Sequence, residues 1–156
     1  MAETRVRFPL RAPFSLPLTF FLMKATIETE IEFSFPNEIG ILAKTARALS
    51  EASIGIKGML NFSKGSTTET YMVLSRGIEE AKKILTEVGV DSIGQGTVVA
   101  VNLEGETGAI AIMAERLAEA KINIANMYVC ESPQGPSVIY VSTNDDDAAV
   151  AAINQS

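Results

Sequence analysis

Residues 38–56 read EIGILAKTARALSEASIGI, and residues 106–124 read ETGAIAIMAERLAEAKINI. At an offset of 108 − 40 = 68 positions, Glu38/Glu106, Gly40/Gly108, Ala43/Ala111, Ala46/Ala114, Leu49/Leu117, Glu51/Glu119, Ala52/Ala120, Ile54/Ile122 and Ile56/Ile124 are identical pairs. Nine identities in a nineteen-residue window are too many for two merely amphipathic helices, so the chain is an internal duplication. In both copies a glycine precedes a run of apolar residues at helical spacing, and an Ile-x-Ile step leads out towards a strand.

The pattern extends outward from both windows. Ile27, Thr29, Ile31, Phe33 and Phe35 alternate with Glu28, Glu30, Glu32 and Ser34, the period of a strand with one buried and one wet face. On that reading the three glutamates form a solvated face, not a catalytic carboxylate pair. Pro36-Asn37 stops the strand, and Asn37 is a candidate helix cap. Residues 56–62 and 67–74 are strands around a Lys64-Gly65-Ser66 turn. Ile78, Ala81, Leu85 and Val88 mark a second helix closed by Gly89, and residues 92–95 a short fourth strand. The second unit repeats the order with a strand at 97–103, a helix at 108–120, and a hairpin of 122–130 with 137–142. Its last helix, 145–153, carries Asp145, Asp146 and Asp147 at the end where the helix dipole favours them.

This β-α-β-β-α-β order is the ferredoxin-like one. The expected fold class is α+β: two ferredoxin-like βαββαβ repeats, 23–96 and 97–156, paired side by side with the helices on one face of the sheet. The second repeat ends after its second helix and lacks its last strand, which leaves an expected open sheet edge of the kind that pairs with other chains. Residues 1–22 differ in character. They hold Arg5, Arg7 and Arg11 against Glu3, with Pro9, Pro13 and Pro17. They read as an N-terminal extension without structure or a misassigned start ahead of Met23-Lys24, with a targeting segment as the alternative.

Composition narrows the chemistry. Hydrophobic residues are 47% and charged residues 21% of the chain, enough to build a core. The net charge of −6 disfavours nucleic acid and anionic membrane surfaces as partners. With no histidine, the commonest general base and zinc ligand are missing. Cys130 is the only cysteine, which rules out an internal disulfide and reads as a small half-buried hydrophobe. No catalytic residue, cofactor site or metal site is expected. The three aspartates read as a helix cap because no glycine-turned calcium loop accompanies them.

The stretch from Phe35 to Leu42, followed by Ala46, Leu49 and Ile54-Gly55-Ile56, resembles the opening of ACT domains. So does the stretch from Leu103 to Ile110, running on through Leu117 to Lys121-Ile122-Asn123-Ile124. The resemblance covers about residues 27–153. Both copies depart from it where the family has proline before the glycine, with Ile39 and Thr107 there instead. The resemblance implies a small cytoplasmic regulatory protein that catalyses nothing and binds a free amino acid between its repeats. An effector enzyme or transcription factor would read the signal, and the open sheet edge and remaining apolar faces suggest a homodimer. Physically, a glycine at the strand-to-helix turn and the free amides of the helix suit a carboxylate, and an asparagine can meet both poles of a zwitterion.

Carried over from the family, one composite site joins Asn37, Glu38, Ile39, Gly40 and Ile41 to Asn123 and Ile124. A second, degenerate site joins Gly105, Thr107 and Gly108 to Gly55, and keeps neither polar side chain. A single competent pocket per chain is therefore expected. The alternative is a structural or assembly module with no active ligand site.

Overall fold

Both copies of the Gly-led helix follow a long strand, and those two strands hold the molecule together. The structure is a computed structural model that describes residues 23–103, 108–131 and 135–155. In chain order the elements are β1 (Lys24–Pro36), α1 (Ile41–Glu51), β2 (Ile56–Lys64), β3 (Thr67–Leu74), α2 (Ile78–Glu87), β4 (Asp91–Leu103), α3 (Ala109–Glu119), β5 (Ile124–Cys130), β6 (Ser137–Thr143) and α4 (Asp146–Asn154). Among the described residues the strands form one antiparallel sheet in the order β2-β3-β1-β4-β6-β5.

Odd-numbered residues of β1 and β4 face the helices. Ile31, Phe33 and Phe35 pack with Leu49 of α1 and with Ala81 and Leu85 of α2. Ala25, Val99, Val101 and Leu103 pack with Met113 and Leu117 of α3 and with Ala149 and Ile153 of α4. All four helices therefore lie on one face of the sheet, as the duplicated pattern predicts. Thr68 and Thr70 of β3 are buried on the same face, and the Thr70 hydroxyl is 2.7 Å from the Asn61 side-chain oxygen, to which it donates.

Two features differ from the sequence reading. Residues 92–95 and 97–103 are not separate strands but parts of the continuous β4, which ends the first repeat and begins the second. The expected open edge of the second repeat is filled from within the chain. β1 pairs with β3 from Glu30 onward, while its first half, Lys24 to Thr29, pairs with Asn102 to Thr97 of β4. That half-strand occupies the place of the second repeat's missing fourth strand. Asn154, at the end of α4, fixes it by accepting from the Ala25 amide at 2.8 Å and donating to the Ala25 carbonyl at 3.0 Å. The duplication is thus completed by strand sharing.

The face away from the helices is also packed. The sheet curls until its outer strands, β2 and β5, approach each other. Val73, Val98, Ala100, Tyr128 and Tyr140 gather inside the curl, with Leu60, Cys130 and Val138 against them. Gly58 marks the closure, because a Cβ there would lie 2.8 Å from Tyr140 Cδ2 and 3.1 Å from Tyr128 Cε2. Cys130 is half-buried within this cluster. No helix among the described residues is long and apolar enough to cross a membrane.

Candidate functional site

The loop from Asn37 to Gly40 joins the C-terminal end of β1 to α1. Gly40 takes φ +94°, a left-handed turn that glycine adopts without strain, and it precedes α1 with no side-chain cap. The first helical bond runs from the Lys44 amide to the Gly40 carbonyl at 3.0 Å. The amides of Ile41, Leu42 and Ala43 have no carbonyl one turn back to bond. Asn37 is not the cap that the sequence suggests. Its side-chain nitrogen donates to the Gly65 carbonyl at 3.3 Å and its backbone amide to the Ser66 carbonyl at 2.8 Å, which ties the loop to the β2–β3 turn. An open cleft of about 560 Å³ lies here, lined by Ser34, Phe35, Pro36, Asn37, Glu38, Ser66 and Thr67. Glu38 and Gly40 are exposed, Ile41 is half-buried, and Ile39 is fully exposed at 107%.

The matching positions of the second repeat lie elsewhere. Asn123 is exposed just before β5, and its backbone amide donates to the Asn144 side chain at 2.8 Å. Ile124 opens β5 and is half-buried. The Gly55 amide donates to the Ser75 hydroxyl at 2.9 Å, a similar tether at the matching position of the first repeat. Gly108 has φ +101° and repeats the Gly40 turn. Gly105 and Thr107 lie outside the described residues. β1 and β4 run antiparallel, so the Gly40 and Gly108 turns sit at opposite ends of the shared strand pair. The cleft around Asn37 is lined by the first repeat alone. Asn123 is not part of it, so one chain does not bring Asn37 and Asn123 together there.

Glu30 is the polar residue that alternation misassigned. It is 6% exposed, not solvated, and its carboxylate accepts from the Tyr128 hydroxyl at 2.8 Å. Burial holds the Glu30 carboxyl above its ordinary range, partly offset by the Tyr128 hydrogen bond, and nearby Glu32 and Asp146 push it the same way as burial. Burial and that hydrogen bond also raise the Tyr128 phenol far above its ordinary value. The Tyr140 phenol is pushed up to about 12, mainly by burial. Glu28 of β1, half-buried, pairs with Lys57 of β2, while Glu32 is exposed. Two glycines inside β4, Gly94 and Gly96, offered a partial signal, since glycines inside a strand often mark a close approach and Gly94 does so here. They stand opposite Glu32 and Glu30, and a Cβ on Gly94 would lie 2.6 Å from Glu32 Oε1.

Two of the three aspartates at the start of α4, Asp145 and Asp146, are engaged within the chain. Asp145 caps the helix by accepting from the Ala148 amide at 3.0 Å. Asp146 accepts from the hydroxyls of Thr97 and Thr143, each at 2.6 Å.

No family model matches the chain, and no curated protein matches it. Its architecture is nevertheless shared with solved structures. A protein of Bacteroides thetaiotaomicron superposes with a TM-score of 0.72 at 16% identity, over 82% of this chain and 87% of that one. The regulatory subunit of aspartate kinase from Thermus thermophilus, in its ligand-free form, gives 0.63 at 19% identity, over 84% and 95%. Aspartokinase alpha and beta subunits give 0.58 at 18% identity, over 83% and 93%. At these identities the likeness is one of fold. This chain has the α+β fold of those proteins, the fold that the ACT resemblance of its two loop–helix motifs implies.

Proposed function

We propose that the chain is a non-catalytic, cytoplasmic regulatory module that binds a free amino acid at the β1–α1 loop. The observation that carries this reading is the cleft beside Asn37 and Glu38, on the loop that leads through the Gly40 turn to the free amides of α1. Its volume falls within the roughly 300–1,000 Å³ of small-ligand sites. The ligand carboxylate would meet the amides of Ile41 to Ala43 at the positive end of the helix dipole. Glu38 and the Asn37 side-chain oxygen would face the ammonium group. Asn123 and Ile124 would join this site only from a second copy of the chain, so the reading includes a homodimer. The signal would then pass through assembly or through an effector enzyme or transcription factor. The Gly105, Thr107, Gly108 and Gly55 set would form the degenerate counterpart.

A thermal-shift panel of the common amino acids tests the proposal. At one hundred times its Kd a ligand stabilises by about 2.7 kcal/mol. Asn37→Ala should abolish that shift while leaving the unliganded melting temperature nearly unchanged, since its side-chain bond is an exposed one. No shift with any amino acid favours the second reading, an assembly module without a ligand. The fully exposed Ile39 suits that reading, because an apolar side chain on a loop tip gains most from a protein contact.

A further inference from the structure

Glu30 sits where β1 passes from one repeat to the other: it pairs with Val73 of the first repeat and with Gly96 at the middle of β4. Its hydrogen-bond partner, Tyr128, lies on β5 at the far edge of the sheet, 98 residues away in sequence. The same seam holds Gly58 against Tyr140 and Tyr128, the Tyr128 ring stacked on Tyr140 with centroids 5.1 Å apart, and the Glu28–Lys57 ion pair. Tyr128 thus joins the aromatic contacts that close the curl to one buried carboxyl. We propose that Glu30 and Tyr128 form a proton-dependent clasp that sets how tightly the two repeats close on each other. This proposal is independent of the amino-acid reading.

The surroundings fix the sign. On its own strand Glu30 is flanked by Glu28 and Glu32 on the same face. β2 contributes Lys57, which is engaged by Glu28. β3 contributes the Tyr71 phenol, β5 Tyr128, and β6 Tyr140. β4 presents the uncharged Gly94 and Gly96, and Asp146 on α4 adds a further negative charge. Among the described residues the cation nearest this face, Lys57, is taken by Glu28, and burial disfavours the charged carboxyl. The closed seam thus binds the Glu30 proton more tightly than an opened, hydrated one. Its extra stability is fully present below the ordinary glutamate value of 4.5 and is lost as pH rises through the raised value in the closed seam.

Cys130, packed at the seam, reports opening through its rate of labelling by a small methanethiosulfonate. The rate in the full-length protein is divided by that of Glu30→Gln at each pH, which cancels titration of the thiol itself. The ratio should rise with pH, by about tenfold for each unit by which closure displaces the carboxyl. Tyr128→Phe removes the donor that favours the ionised form and should move the midpoint to higher pH. A ratio independent of pH overturns the clasp, since a merely structural contact shifts opening equally at every pH. If Glu30→Gln does not fold, amide exchange across residues 126–130 in wild type and Tyr128→Phe supplies the same midpoints. An unmoved midpoint then overturns the proposal.

Discussion

Gly58 is the residue on which closure of the sheet depends sterically. Its backbone lies against the rings of Tyr140 and Tyr128, so the methyl of Gly58→Ala must displace one of two stacked aromatics inside a packed cluster. Overpacking of this kind costs about 1–3 kcal/mol, which urea denaturation would read as a lower midpoint. Gly96→Ala is the matched control. A Cβ there has nothing within 4 Å, so a change within about 0.5 kcal/mol is expected. Equal losses at both positions would mean that the loss at Gly58 does not come from its contact with the two rings, since backbone entropy alone favours alanine. At this scale the sequence was legible where one face meets one environment, as for Ile31, Phe33 and Phe35. It failed at Glu30, because alternation assigns a residue to a face but cannot show that the far edge of the sheet folds over that face.

Among the elements, α4 is the helix whose beginning could be read directly. Asp145 accepts from Ala148 three residues on, while Asp146 and Asp147 occupy the first turn. Asp145→Ala should cost about 1 kcal/mol in urea unfolding, the usual loss for an N-cap acceptor. An unchanged midpoint would show that the Asp146 bonds to Thr97 and Thr143 hold the helix start unaided. α1 and α3 resisted the same reasoning. Each begins at a left-handed glycine without a side-chain cap, so the asparagine three residues ahead of Gly40 was free to bond the β2–β3 turn. Read repeat by repeat, β4 divides into two strands, 92–95 and 97–103, one for each unit, with Gly94 and Gly96 at the division. Opposite bulky Glu32 and Glu30 those positions need no side chain to continue the ladder, and the strand runs through them. The candidate site fared similarly: the Asn37–Ile41 loop was legible from its motif, but its pairing with Asn123 depended on how two similar units join.

For the whole molecule, that join is the sharing of β1 and β4. The core of the second repeat contains Met23 and Ala25, residues that the chain order assigns to the first. Six residue pairs, Lys24↔Asn102 to Thr29↔Thr97, supply its fourth strand, and Asn154 anchors them. A chain shortened to begin at Glu30 keeps every residue of the second repeat yet removes one strand of its sheet. It should lose cooperative unfolding of α3, α4, β5 and β6, read by amide exchange. Deleting a paired strand and two buried side chains removes several hydrogen bonds, at about 1 kcal/mol each, plus their apolar burial, against a total stability of roughly 5–15 kcal/mol. Re-attaching residues 23–29 behind Ser156 through a short Gly/Ser linker should restore protection. The end of α4 already lies beside Ala25, so closing that gap costs little loop entropy. If the second repeat stays protected after the deletion, or is not rescued by the transplant, the half-strand is a passive neighbour and the repeats are independent units. If protection is lost and recovered as described, any force on the Asn37 loop acts on a strand that the second repeat needs in order to fold.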